Sequence, residues 1–208
     1  MKKTLICAGA IALSAGSVNA ATFGFQQFQL FDQDSISYDV DGIGLTITAG
    51  TFGANTNPST IDFSTRRVDR DLNDGIGADG GLLEADEVDG FFGNDVLVFS
   101  FDTRVRINSV SFAPQDIESN DQFAFGSVSG STFTRVADFT DVSTPFDMSF
   151  FGSDAIGEAF GIGAIGSDDN FSITAMDVAA VPLPAAGWLL IAGLGGIAAM
   201  SRRKTSGA

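Results

Sequence analysis

Apolar residues recur at every second position through most of the middle of this chain, and they do so in short runs. Phe23 and Phe25, then Phe28 and Leu30, make the first run, with a slip at Gln26-Gln27 that predicts a bulge. Ile43, Leu45 and Ile47 make the next. Further on come Val96 and Val98 with Leu97, Phe99 and Phe101; Val105 and Ile107, then Val110 and Phe112; and Phe123 with Phe125. Phe133, Val136 and Phe139 follow, then Phe146, Met148 and Phe150; Phe160, Ile162 and Ala164; and Phe171, Ile173 and Ala175. A period of two lines up side chains on one face of a pleated strand. No stretch here carries the period of a three-turn helix. Clusters of Gly, Asn, Asp and Ser part the runs at roughly 8 to 12 residue spacing, which is the pattern of an all-β domain.

About 160 residues bury one substantial core, so residues 21–180 are expected to form a single domain. Aromatic-rich strands in this number need facing sheets to hide their inner sides, and the expected architecture is a jelly-roll-like β-sandwich. The run Gly157 to Gly166 alternates Gly with Phe160, Ile162 and Ala164, which fits a strand whose second face lies against a neighbour or solvent. No phosphate-binding glycine loop stands between a strand and a helix, so nucleotide binding has no support.

The two ends break the alternation. Residues 1–20 open with Lys2 and Lys3, run apolar from Leu5 to Leu13 and close on Val18-Asn19-Ala20. Those are the three regions of a secretory signal peptide, with cleavage expected after Ala20 by signal peptidase. The apolar run is well short of the roughly 20 residues that a membrane span needs. Cys7, the one cysteine, lies inside this peptide, so the mature chain would leave the cytoplasm without any disulfide. At the other end Val181-Pro182-Leu183-Pro184-Ala185 precedes a segment from Ala185 to Ser201 with no charged side chain, and Arg202-Arg203-Lys204 follows. As a helix that segment covers about 25 Å, a short but usable span of a bilayer core. The basic cluster would stay cytoplasmic and leave everything before it outside, with Trp188 as an interfacial anchor.

That order of elements, Val181 to Ala185, an apolar helix and then Arg202, Arg203 and Lys204, resembles the VPLPA-CTERM sorting signal of Gram-negative bacteria that make exopolysaccharide. The resemblance covers residues 181–208. It implies a PEP-CTERM-like secreted protein, anchored for a time in the inner membrane and cut near the Pro-rich motif by a membrane-embedded exosortase. Release or transfer to the cell surface or extracellular matrix would follow. In that case Val181, Pro182, Leu183, Pro184 and Ala185 are a substrate for another enzyme. The stretch through Gly75-Ile76-Gly77, Glu84 to Asp89 and Asn94 to Asp102 also resembles the β-rich domains often carried ahead of such tails, which have no defined activity to lend.

Charge narrows the partners. Of 11 basic groups the two ends take five, so residues 21–180 keep six arginines and no lysine against all 26 acids, a net charge of −20. Nucleic acid needs a basic surface and is excluded as a partner. Anionic glycans meet the same repulsion unless a divalent cation bridges them. With no histidine in the chain, serine and cysteine triads and His-bearing zinc sites cannot be built.

Carboxylates are what remains for chemistry. The most acidic stretch, Asp62 to Asp95, interrupts the strand pattern and contains Asp69-Arg70-Asp71-Leu72-Asn73-Asp74-Gly75. It is no EF-hand, because Asp74 stands where that loop requires Gly, and Gly80 where it requires Glu. A looser calcium site is expected from Glu84, Asp86 and Asp89 with Asn94 or Asp95, since Ca²⁺ takes six to eight oxygens. Such a clip would stand in for the missing disulfides. A glycosidase would draw a carboxyl pair from Asp86, Glu87, Asp89, Asp116 and Glu118. Linear spacing shows no cleft between them, and no catalytic activity is expected. Exopolysaccharide binding would favour exposed Trp or Tyr for stacking, and residues 21–180 offer only Tyr38.

Overall fold

A computed structural model describes residues 19–27, 32–53, 60–79, 87–90, 93–114, 121–140 and 144–182. The fold is all-β. In chain order the strands are β1 (Ala20–Gly24), β2 (Ile36–Val40), β3 (Ile43–Phe52), β4 (Thr60–Asp62), β5 (Ser64–Asp71), β6 (Gly75–Asp79) and β7 (Val88–Asp89). They continue with β8 (Asn94–Phe112), β9 (Gln122–Ser129), β10 (Thr132–Thr140), β11 (Phe146–Asp147), β12 (Ile156–Gly163), β13 (Asn170–Phe171) and β14 (Ile173–Ala180). One 3₁₀ helix, Met148–Phe151, follows β11. The expected C-terminal helix lies outside the described residues. Among those described, no helix is long and apolar enough to cross a membrane.

The sequence pattern reads residues 94–101 and 105–112 as separate strands, but they form one, β8, of 19 residues. Its first half pairs with β3, from Phe52↔Asn94 to Leu45↔Phe101. Its second half pairs with β14, from Ala180↔Val105 to Ile173↔Phe112. β5 joins β3 to β6, and β6 meets β14 at Ile76↔Ile173, so β3, β8, β14, β6 and β5 close into a five-strand barrel. β12, β9, β10 and β4 extend the same sheet from the other edge of β8. This differs from the jelly-roll-like sandwich, in which two separate sheets face each other. A straight 19-residue strand would reach about 65 Å at some 3.4 Å per residue, so it has to bend. The bend is visible against β12, where Gly157 partners Val105 and Ala159 partners Ser100. Four residues of β8, Phe101 to Arg104, therefore stand against Glu158 alone, a bulge of the kind that turns a strand through a corner.

Alternation then sorts side chains into two cores. Phe23, Phe25, Leu45, Ile47, Leu97, Phe99, Phe125 and Phe160 belong to the larger one. Val96, Val98, Ala124 and Phe133 point the opposite way, into a smaller core shared with Phe52 and Ile61. The start of β8 is thus buried on both faces, which accounts for its unbroken apolar run. β10 shows the same sorting through a bulge. Phe133 and Phe139 are six residues apart and would share a face, but the register slips between Arg135 and Ala137. The extra residue sends Phe133 into the small core and Phe139 against the large one, and leaves Val136 exposed.

One expected run can be followed only in part, and another ends early as a strand. β1 stops at Gly24, and Gln26-Gln27 belong to a turn in which the Gln27 N–H donates to the Phe25 carbonyl. Phe28 and Leu30 lie outside the described residues. The run Phe146, Met148, Phe150 is a strand only over Phe146–Asp147, because the Asp147 carboxylate accepts the Ser149 backbone N–H and starts the 3₁₀ turn. That hydrogen bond holds the Asp147 carboxyl below the usual carboxylate range. Met148 and Phe151 turn inward, whereas Phe150 is 79% exposed.

Gly75 seals the barrel. Its φ is +93°, and a Cβ there would lie 2.2 Å from the Ile173 carbonyl oxygen, beside the β6–β14 pairing. Gly130 has a φ of +61° with open space around it. In urea melts Gly75→Ala should cost at least about 2 kcal/mol, through backbone strain and displacement of β14 together. Gly130→Ala, bearing only the dihedral cost, should lose about 1 kcal/mol. Equal losses would show that the Ile173 approach does not limit the closure.

Candidate functional site

A trough of about 1190 Å³ crosses the outer face of the sheet. Thr48, Val98, Ser100 and Ala159 form its floor, on three adjacent strands where β8 lies between β3 and β12. These are the positions that alternate with the inward set Ile47, Phe99 and Phe160. β5 supplies one wall through Ser64, Thr65, Arg66 and Arg67, and the turn from β9 to β10 supplies the other through Val128, Gly130 and Ser131. Phe63 closes one end, where its backbone N–H donates to the Ser131 carbonyl at 3.0 Å. Ser64, Thr65, Ser100, Gly130 and Ser131 are exposed, so the trough opens to solvent along its length.

The trough's charges are held in pairs. Arg66 sends its Nε to 3.1 Å from Asp95 Oδ1, and the Asp95 side chain is 2% exposed. Arg67 is half exposed and pairs with Asp79 from β6, with Asp32 at 3.7 Å. Asp34 stands on the rim. Guanidinium groups fixed by carboxylates offer directed N–H donors beside carboxylate acceptors, a surface suited to polar, uncharged groups.

Three residues of the expected calcium set can be followed, Asp89, Asn94 and Asp95. Asp95 faces Arg66, so its countercharge is a guanidinium. Asn94 is buried and turns the other way, donating from Nδ2 to the Ile165 carbonyl at 2.9 Å, while its Oδ1 has no hydrogen-bond partner. Asp89 is buried in β7 opposite Asn170. Glu84 and Asp86 lie outside the described residues. Among the described residues no three acidic, His or Cys side chains converge as a metal site. Of the glycosidase candidates, Asp116 and Glu118 also lie outside, and Glu87 borders a small cleft with Asp69, Asp71 and Asp74. Tyr38 is no stacking platform. Its ring packs edge-on against Phe23 and Phe25, and its hydroxyl accepts from Arg70.

Sequence reasoning missed Asp169. Its carboxylate, 3% exposed, accepts the backbone N–H groups of Gln122, Ile165 and Gly166. With Asn94 it clamps the loop between β12 and β13. The only signal was its place in Gly166-Ser167-Asp168-Asp169, where an Asp three residues after a Gly reaches back to a turn.

The sorting motif is described only at its start. The Val181 N–H donates to the Arg104 carbonyl at 2.8 Å, and Pro182 is exposed. Leu183, Pro184, Ala185 and Arg202, Arg203 and Lys204 lie outside the described residues.

Arg66→Met should leave the Asp95 carboxylate buried opposite an apolar side chain and cost about 3–5 kcal/mol in chemical denaturation. The double variant Arg66→Met/Asp95→Leu should recover most of that loss, because it removes both charges together. A single variant as stable as the parent would show that the pair carries no stability.

No protein-family model, curated protein or solved structure matches the chain, so its own residues carry the functional reading.

Proposed function

We propose that this chain is an exported, exosortase-processed surface or matrix protein, whose acidic β domain has a structural or exopolysaccharide-associated role without catalysis. The observation that carries this reading is the position of the two ends. β1 and β14 are antiparallel neighbours with Ala20 opposite Ala179, and the Ala180 N–H donates to the Asn19 carbonyl at 2.8 Å. The expected signal-peptide cut and the sorting motif therefore lie side by side at one end of one strand pair. Handles attached there can be removed by two cuts that leave the core intact. The Ala20–Ala21 bond stands within that ladder and Ala21 is buried, so signal peptidase would act before β1 docks.

The glycan side of the reading draws on the hydroxyl-lined trough, which gives a polymer a seat on the outer sheet face. Of the expected calcium set Asp89, Asn94 and Asp95 are described, and Asp95 pairs with Arg66.

A mass spectrum of the protein from the cell surface or medium should show a chain that starts at Ala21 and ends near the Val181–Ala185 motif. A mature soluble form that still ends at Ala208 would refute exosortase processing. For calcium, thermal melts with CaCl₂ and then with chelator should separate by several degrees if a clip ties the 80–95 stretch to the sheet. Superposable melts remove the ion from the account.

A further inference from the structure

We infer that the trough is the seat of an uncharged polysaccharide chain, with the Phe63 ring as the platform on which one sugar lies. This rests on the exopolysaccharide-associated reading above, and adds to it the ligand's charge class and its place on the domain.

Among the described residues Phe63 is the aromatic side chain that lines the trough, and the sheet fixes it from two directions. Its backbone is tied to Ser131, and its ring rests against the bare backbone of Gly50: a Cβ on Gly50 would come to 2.3 Å from the ring's Cδ2. Gly50 is thus the residue that lets the ring lie down on the sheet. The ring is half-buried, so one part is packed while another is presented to the trough. A rigid ring edged by hydroxyl groups, here Thr48, Ser100 and Ser131, matches a pyranose, which has an apolar C–H face and a rim of hydroxyls.

Charge decides the class of polymer. Arg66 and Arg67 are matched by Asp95 and Asp79, and Asp34 adds a further negative group at the rim. The trough has no surplus cation to draw a carboxylated or sulfated chain, and residues 21–180 carry a net −20 that repels one. A neutral chain meets no such barrier. Pockets for drug-sized molecules hold about 300–1,000 Å³; this one, at about 1190 Å³ and open along its length, has room for a run of sugars.

The test is affinity electrophoresis of the processed protein in native gels that contain neutral galactomannan, anionic alginate, or the exopolysaccharide purified from the producing cells. Galactomannan should retard the protein at concentrations at which alginate does not. Phe63→Ala should weaken retardation about tenfold, the loss of one stacked ring. Since Phe63 also packs on the small core, Ser100→Trp serves as the second variant. It fills the exposed floor beside Val98 without opening a cavity in either core, and should abolish retardation while changing the melting temperature little. Retardation of Ser100→Trp equal to the parent, or alginate binding as strong as galactomannan binding, overturns the inference. If in that case the parent still binds the cells' own exopolysaccharide, the broader reading stands and only the trough fails. A parent retarded in none of the gels overturns the trough inference and the exopolysaccharide association together, and leaves the structural role.

Discussion

β8 has to serve two ladders at once, and the rest of the fold depends on how it does so. Its first eight residues pair with β3 and its last eight with β14 on one edge, while β12 runs along the other. A strand of constant twist and no bulge would carry β3 and β14 away from each other. The bulge at Phe101–Arg104 lets them converge, and β5 and β6 then bridge the gap to make a barrel with no free edge there. Closure protects backbone N–H and C=O groups that an open sheet would present to other chains. It also concentrates Phe rings from both halves of the strand in one core, where Phe23, Phe101, Phe160 and Phe125 touch in sequence at centroid distances of 5.8 to 6.2 Å.

Acidity shapes what surrounds that core. A domain without lysine can neutralise few of its carboxylates internally, and two of the three arginines on β5 are placed where a carboxylate is buried or crowded. Arg66 covers Asp95, and Arg67 answers Asp79. Asp169 is stabilised without a cation, by three backbone N–H groups. Other acids are held by hydroxyl and backbone donors, as Asp177 is by Thr22 and Ser109, and the surplus of acids over arginines opposes polyanions. The trough lies where those matched charges meet hydroxyl-bearing positions, which gives it polarity without a strong field.

The ends of the domain follow from the same ladder. β14 is central, held by β1 on one side and β8 on the other, so the chain remains hydrogen-bonded up to Val181. The motif that resembles a sorting signal therefore begins at a residue whose N–H is bonded to the sheet, at the Arg104 carbonyl. Among the described residues the barrel's strands end at Ala180, the last residue of β14.

Much of this was legible in the residues themselves. Because burial of one strand face is a local property of alternation, period-2 runs marked the all-β class and named many of the core side chains, though not Ile36, Phe52, Ile61, Val68, Ile76 or Val178. The unbroken run Val96 to Phe99 reads only as one more strand, and the structure shows that it is buried on both sides. What alternation could not convey was how strands close. A bulge such as that at Val136 or at Phe101–Arg104 is a mismatch between two strands, so it has no signature in either alone. For the same reason 94–101 and 105–112 read as two strands, and a sandwich was expected where the ladder returns on itself. The trough was equally hidden: Thr48, Ser100, Phe63 and Ser131 are distant in the chain and ordinary in type, and only pairing places them around one space. Sequence fixes which face of each strand seeks the core; the tertiary structure alone decides which outward faces become neighbours, because that depends on register across strands and not on order along the chain.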